Sequence, residues 1–186
     1  MKLNELTGQD NYFEDFVVGD VMKHVRSKTL EPLEQVMITN LVMNTASGHY
    51  DEEVMKSHPA GKRLSFGGVN ISMFIGMASQ DTAENAIAEL GMDKIRLQGP
   101  VLHGDTLSAY TEVLEINPSD REDAGIVRFK HYGTKQDGSI TTIGRRSMWS
   151  RRPWAPSTFV CRPRDSLRRP AGSRSPWMGP VRAFRL

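Results

Sequence analysis

The sequence predicts an α+β fold in which a curled antiparallel sheet wraps one central helix. Three observations carry this. Residues 69–90 hold the most apolar helical pattern in the chain. The stretch that follows switches to a period of two. The alternating segments are joined by short turns, one of them the hairpin signal Asp137-Gly138.

Taken in order, Val21 to Leu30 reads as a first strand. Thr29 reads as a helix N-cap, with Glu31 and Pro32 in a first turn that favours an acid and a proline. Leu33, Met37, Asn40 or Leu41, and Asn44 recur at helical spacing, which predicts a helix over 31–43. Ala46 to Tyr50 breaks it. Asp51 reads as the N-cap of a short helix to Ser57, ended before Pro59. Gly61 to Gly68 is a loop. The central helix carries Ile71, Phe74, Ile75, Ala78, Ala83, Ala86 and Leu90 on one broad face, with a break near Ser79 and Gly91 as its stop. The methionines at 73 and 77 are expected in the core. Strands follow over Lys94–Leu97, Thr106–Ile116, Gly125–Thr134 and Ser139–Trp149. Gly104-Asp105 is a strand-entry turn, and Asn117 to Asp120 turns the next pair.

Composition divides the chain. Residues 1–144 carry 13 Lys and Arg against 21 Asp and Glu, whereas 145–186 carry 11 Arg and a single acid, Asp165. The overall charge of +2 therefore describes neither part. Six of the ten prolines, all three tryptophans and the sole cysteine, Cys161, lie beyond Arg146. We read residues 1–146 as one domain and 147–186 as a disordered tail. The abrupt loss of lysine resembles translation of GC-rich DNA in a shifted frame more than a nucleic-acid-binding strip, so no nucleic-acid partner is expected. A lone cysteine excludes a disulfide framework within the chain. No apolar run is long enough to cross a membrane, and the first ten residues lack the apolar core of a secretory signal. A cytoplasmic protein is expected.

Five segments together resemble the MaoC-like dehydratase family. They are Tyr12 to Asp20, Asn44-Thr45-Ala46-Ser47-Gly48-His49-Tyr50-Asp51, Ser65-Phe66-Gly67-Gly68-Val69-Asn70, Asp81 to Gly91, and Pro100 to Leu107. The last two resemble the branch that contains mesaconyl-CoA and itaconyl-CoA hydratases. The resemblance covers residues 10–146. It implies a hot-dog fold, a homodimer or a dimer of dimers, and a coenzyme A thioester as substrate, with no separate cofactor.

Hydrating an enoyl thioester requires a base for water, an acid for the α-carbon and donors for the developing enolate. His49, which follows Gly48 and has the side-chain type suited to proton transfer, is the acid/base candidate. Many relatives carry Asp where this chain has Asn44. An amide is no general base, so Asn44 is expected to position water. The resemblance assigns the backbone N–H of Ile71 to the oxyanion hole, and Phe66, Gly67, Gly68 and Asn70 to substrate binding. Lys62 and Arg63 are candidates for clamping a carboxylated acyl chain. His24, His58, His103 and His131 have no partner in sequence, and no cluster has metal-ligand spacing. The expectation is reversible hydration of a 2-enoyl-CoA, with mesaconyl-CoA as the model substrate. A thioesterase and a catalytically silent acyl-CoA-binding protein are the rivals.

Overall fold

The computed structural model describes Leu3 and residues 5–153. Residues 154–186, most of the basic segment, lie outside that range, and with them falls the expectation of a disordered or out-of-frame tail.

The chain forms strand β1 (Val21–Thr29), helices α1 (Pro32–Leu41), α2 (Glu52–Met55) and α3 (Gly67–Thr82), and strands β2 (Ala86–Leu97), β3 (Thr106–Pro118), β4 (Ala124–Lys135) and β5 (Ile140–Arg151). All five strands join one antiparallel sheet in the order β1-β3-β4-β5-β2. Helix α3 packs on its inner face, against β1, β3 and β4. This is the expected helix-wrapped sheet. In β3 and β4, buried residues alternate with partly exposed ones, as one face on a core requires.

Several expectations need correction. Thr29 is not a helix cap: it ends β1, and its hydroxyl meets Thr106 Oγ1 at 2.8 Å. Glu31 is the N-cap of α1, and Pro32 opens the helix. The central helix stops at Thr82, not Leu90. Ala86 to Leu90 have helix-forming side chains, but their backbone pairs with β5, with Ala88 opposite Trp149 and Glu89 opposite Met148. A ladder of inter-strand hydrogen bonds outweighs propensities of a few tenths of a kcal/mol per residue. Gly91 therefore sits at a bulge in β2 rather than at a helix end. Strand β5 also runs past residue 146 to Arg151, with Met148 fully buried and Ser150 nearly so. The sheet thus extends five residues beyond the change in composition.

The turns behave as expected. Gly138 has φ +80°, and Asp137 Oδ1 accepts the Ser139 N–H at 2.8 Å. Asp105 is structural: it accepts the Leu102 N–H at 2.9 Å and the Gln136 amide at 2.9 Å. Burial works to raise its pKa, but these two bonds and Lys135 hold it below the ordinary value.

The core has two apolar clusters. One joins Phe16, Met22, Val113, Val127, Phe129 and Met148. The other joins Leu30, Phe74, Met77, Val101, Leu107 and Ala109, with Met73 packed against it. A row of buried polar side chains crosses the sheet beside them. Asp81 on α3 bonds His24 Nδ1, His24 Nε2 meets Thr111 Oγ1 at 2.6 Å, and Thr111 Oγ1 meets His131 Nδ1 at 2.8 Å. His24 and His131, isolated in sequence, are thus two links of one chain. Gly133 makes room for the Phe74 ring, which lies where a β-carbon would stand.

Candidate active site

Three segments build a cleft of about 380 Å³ at the N-terminal end of α3. His49 comes from the 3-10 turn after α1. Leu64, Ser65, Gly67 and Asn70 come from the loop entering α3. Leu97 to Val101, with Thr142, close the other side. The loop is pinned in place because the Ser65 N–H donates to the Val101 carbonyl at 2.8 Å.

His49 is held in one tautomer. Its Nδ1 lies 2.8 Å from the Leu64 carbonyl, an acceptor only, so Nδ1 carries a proton and the neutral ring has its lone pair on Nε2. The Phe66 ring packs against the imidazole, centroids 5.4 Å apart. The Ser65 hydroxyl sits 2.8 Å from Gln35 Oε1 and 2.6 Å from the Asn70 amide. A hydroxyl has one proton. Ser65 therefore donates to one of the two side-chain oxygens, Gln35 Oε1 or Asn70 Oδ1, at a time.

The ladder of α3 opens with the Asn70 N–H donating to the Phe66 carbonyl at 3.0 Å. The N–H groups of Gly67, Gly68 and Val69 precede it and are the orphan donors of the first turn. Gly67 borders the cleft, and a β-carbon there would strike Leu97. Gly68 has the Phe66 ring where its β-carbon would be. A side chain at either position would have to displace Leu97 or Phe66.

Other predicted residues fall elsewhere. Ile71 is one residue inside the α3 ladder, which commits its N–H to the helix, and its side chain lines a separate apolar slot. Asn44 does not line the cleft. Its Oδ1 is taken by the Ala46 N–H at 2.9 Å, and its carbonyl accepts the Tyr50 hydroxyl. Lys62 is exposed, and Arg63 is paired to Glu52 at 2.7 Å. Asp51 caps α2 by accepting the N–H groups of Glu53 and Val54.

Sequence reasoning missed Gln35, Ser65, Thr142 and His103. His103 stands within the electrostatic reach of His49 and Arg63. Burial lowers its pKa first, Arg63 and His49 add to that, and Glu52 opposes them. No spacing rule could have found it, because the loop around residue 103 meets the His49 turn only through the fold. Among the described residues, no group of His, Cys, Asp or Glu could hold a metal ion.

A family model described as mesaconyl-CoA hydratase matches residues 21–150. The chain belongs to the mesaconyl-CoA hydratase family. A β-methylmalyl-CoA dehydratase from Chloroflexus aurantiacus is 30% identical over 129 residues, 69% of this chain and 36% of that protein. A mesaconyl-CoA hydratase from Cereibacter sphaeroides is 30% identical over 125 residues, 67% of this chain and 35% of that protein. The chain thus spans about a third of the length of these two curated relatives. A structure from Mycobacterium tuberculosis, described as a double hot-dog fold, superposes with a TM-score of 0.70 at 20% identity, covering 91% of this chain and 53% of that one. The family member described here has the hot-dog fold. No helix among the described residues is long and apolar enough to cross a membrane.

Proposed function

We propose that this chain adds water reversibly to a 2-enoyl-CoA thioester, with a short dicarboxylyl group such as mesaconyl as the acyl chain. The observation that carries this reading is the His49 geometry beside the glycine-opened N-terminus of α3. His49 Nε2 takes a proton from water as the water oxygen bonds to the β-carbon. The π electrons of the double bond move onto the thioester carbonyl. The resulting enolate oxygen is held by first-turn N–H groups of α3, with Gly67 at the cleft wall. The imidazolium then returns its proton to the α-carbon, and the enolate collapses to the hydrated thioester. Asn44 acts here as a positioning residue that fixes the turn carrying His49. Ser65 and Asn70 are the polar groups available to orient water. Coenzyme A enters as part of the substrate, and no further cofactor is invoked.

A homodimer or a dimer of dimers belongs to the same reading. It is supported by edge strand β2, whose Leu90, Met92, Ile95 and Leu97 are exposed.

The test is hydration of mesaconyl-CoA and crotonyl-CoA, followed by loss of thioester absorbance. His49→Ala is expected to lower kcat by about 100-fold or more, as loss of a general acid/base does. Binding without turnover by the parent would favour the silent acyl-CoA-binding reading, which the amide at position 44 suits. An unchanged rate in the variant would remove His49 from the chemistry.

A further inference from the structure

Buried threonines in this chain find partners inside the fold. Thr39 bonds the Gln35 carbonyl, Thr82 the Ala78 carbonyl, Thr134 the Ser108 carbonyl and Thr141 the Gly133 carbonyl. Thr111 joins His24 and His131. Thr142 is the exception among the described residues: it is 5% exposed, and its Oγ1 is buried with no hydrogen-bond partner. An unpaired buried hydroxyl costs free energy and calls for an explanation, such as a ligand that pairs it.

Thr142 lines the cleft that holds His49, on the wall facing the α3 entry loop. Its partner in the sheet is Leu97 on β2, one strand spacing away, roughly 4.8 Å. Leu97 in turn fills the space where a Gly67 side chain would stand. A thioester held at Gly67 therefore lies within reach of Thr142 through a short acyl chain. Beyond Thr142 the space narrows to a slot of about 20 Å³ beside Ile71 and Phe74, room for about one water. The cleft thus sets a hydroxyl near the end of the space open to an acyl group.

We propose that Thr142 is a specificity-determining residue whose hydroxyl donates to the free carboxylate of a short dicarboxylyl thioester hydrated at His49. The inference rests on the hydratase reading above and adds a named contact to it.

The chemistry of the two thioesters makes the contact selective. Mesaconyl-CoA carries its carboxylate on the β-carbon, where crotonyl-CoA carries a methyl group. His49 and Thr142 stand on different walls of the cleft, so water and carboxylate meet the β-carbon from different sides. A methyl group leaves the hydroxyl unpaired, whereas a carboxylate oxygen pairs it through a charge-assisted bond. No internal bond ties the hydroxyl in its present orientation, so rotation between staggered positions about χ1 presents it to the cleft. A hydroxyl donates without any change of protonation. A site built around a hydrogen bond discriminates against an analogue that lacks it.

The experiment measures kcat/KM and calorimetric Kd for mesaconyl-CoA and crotonyl-CoA on the full chain, on Thr142→Val and on Thr142→Ser, with thermal unfolding of each. Thr142→Val keeps the β-branched shape and removes the hydroxyl. The mesaconyl-to-crotonyl ratio is expected to fall by about tenfold or more in Thr142→Val, as loss of one hydrogen bond to a charged group does, and to return to within about threefold of the parent in Thr142→Ser. The Tm of Thr142→Val is expected to match or exceed that of the parent, because no bond within the fold is lost. An unchanged ratio, or equal losses for both thioesters, would overturn the inference; crotonyl-CoA turnover in either case leaves the hydratase reading standing. A Tm lowered in Thr142→Val and restored in Thr142→Ser would reveal a bond inside the protein and overturn it as well. If Thr142→Val does not fold, Thr142→Ala reads the same ratio. Binding of both thioesters without turnover would end the hydratase reading and leave Kd to report the ratio. If the parent binds neither thioester, the two readings fall together.

Discussion

His131 has a measurable part in stability. Burial first, then the charges of Arg146 and His24, pushes its pKa down from 6.5 to about 3. The folded protein therefore keeps this imidazole neutral where the unfolded chain protonates it. With a depressed histidine pKa, stability is intact above about pH 6.5 and declines as pH falls towards 3, at about 1.4 kcal/mol per pH unit. Between pH 7 and pH 5 this amounts to about 2 kcal/mol. Urea unfolding at those two pH values is expected to show a decline that is smaller by about that amount in His131→Gln. Equal declines in parent and variant would assign the acid sensitivity to other groups. The sequence held little of this. His24 and His131 are over a hundred positions apart, and only the register β1-β3-β4 brings them to one hydroxyl. The place of His49 on the cleft, by contrast, rests on a local pattern, because its loop neighbours Gly48 and Tyr50 carry the resemblance beside it. Sequence does not show which N–H groups the helix leaves free: Ile71 and Gly67 fall on opposite sides of the first α3 hydrogen bond.

At the scale of elements, periodicity marked α1 and the start of α3, but the spacing in α1 is not that of its buried face. Leu33, Met37 and Leu41 share a stripe of α1, as their spacing requires, yet they are 72%, 55% and 79% exposed. The buried face carries Gln35 and Thr39 instead. Gln35 finds partners in Ser65 and the Met73 sulfur, and Thr39 bonds the Gln35 carbonyl, so both polar groups are satisfied inside. A rule that sends apolar residues inward cannot anticipate a polar face recruited to brace a site. The α3–β2 boundary was blurred for a related reason: alanine, glutamate and leucine suit a helix, and only the distant β5 turns them into a strand. That dependence is testable. Met148, fully buried on β5 opposite Glu89 and Val127, is expected to cost 2–5 kcal/mol when changed to Ala. Thermal unfolding measures it, and a loss under about 0.5 kcal/mol would place the end of β5 outside the core.

For the whole molecule, the layout of one apolar helix followed by hairpin-linked strands was enough to predict the architecture, because each hairpin carries its own turn chemistry. The order of strands was not readable, since β1 and β2 reach the sheet's two edges through long-range pairing. Edge strand β2 is also the surface on which the proposed assembly rests. Sedimentation equilibrium is expected to return two or four times the chain mass, and a single chain mass at micromolar concentration would remove the dimer from the proposed function.

The position of β2 has a temporal side. Its one neighbour in the sheet, β5, follows it by roughly fifty residues, which is several seconds of synthesis at about 5–20 residues per second. During that interval a nascent chain has made α3 and β2 but has nothing for β2 to pair with. Its backbone donors wait in water while β3 and β4 close their hairpin. The sheet is therefore completed from the β1 edge towards β2, and the last residues of β5 to emerge, Met148 to Ser150, are the ones that receive the first residues of β2. A stalled ribosome in that stretch would present an unpaired, apolar strand edge of the kind chaperones recognise.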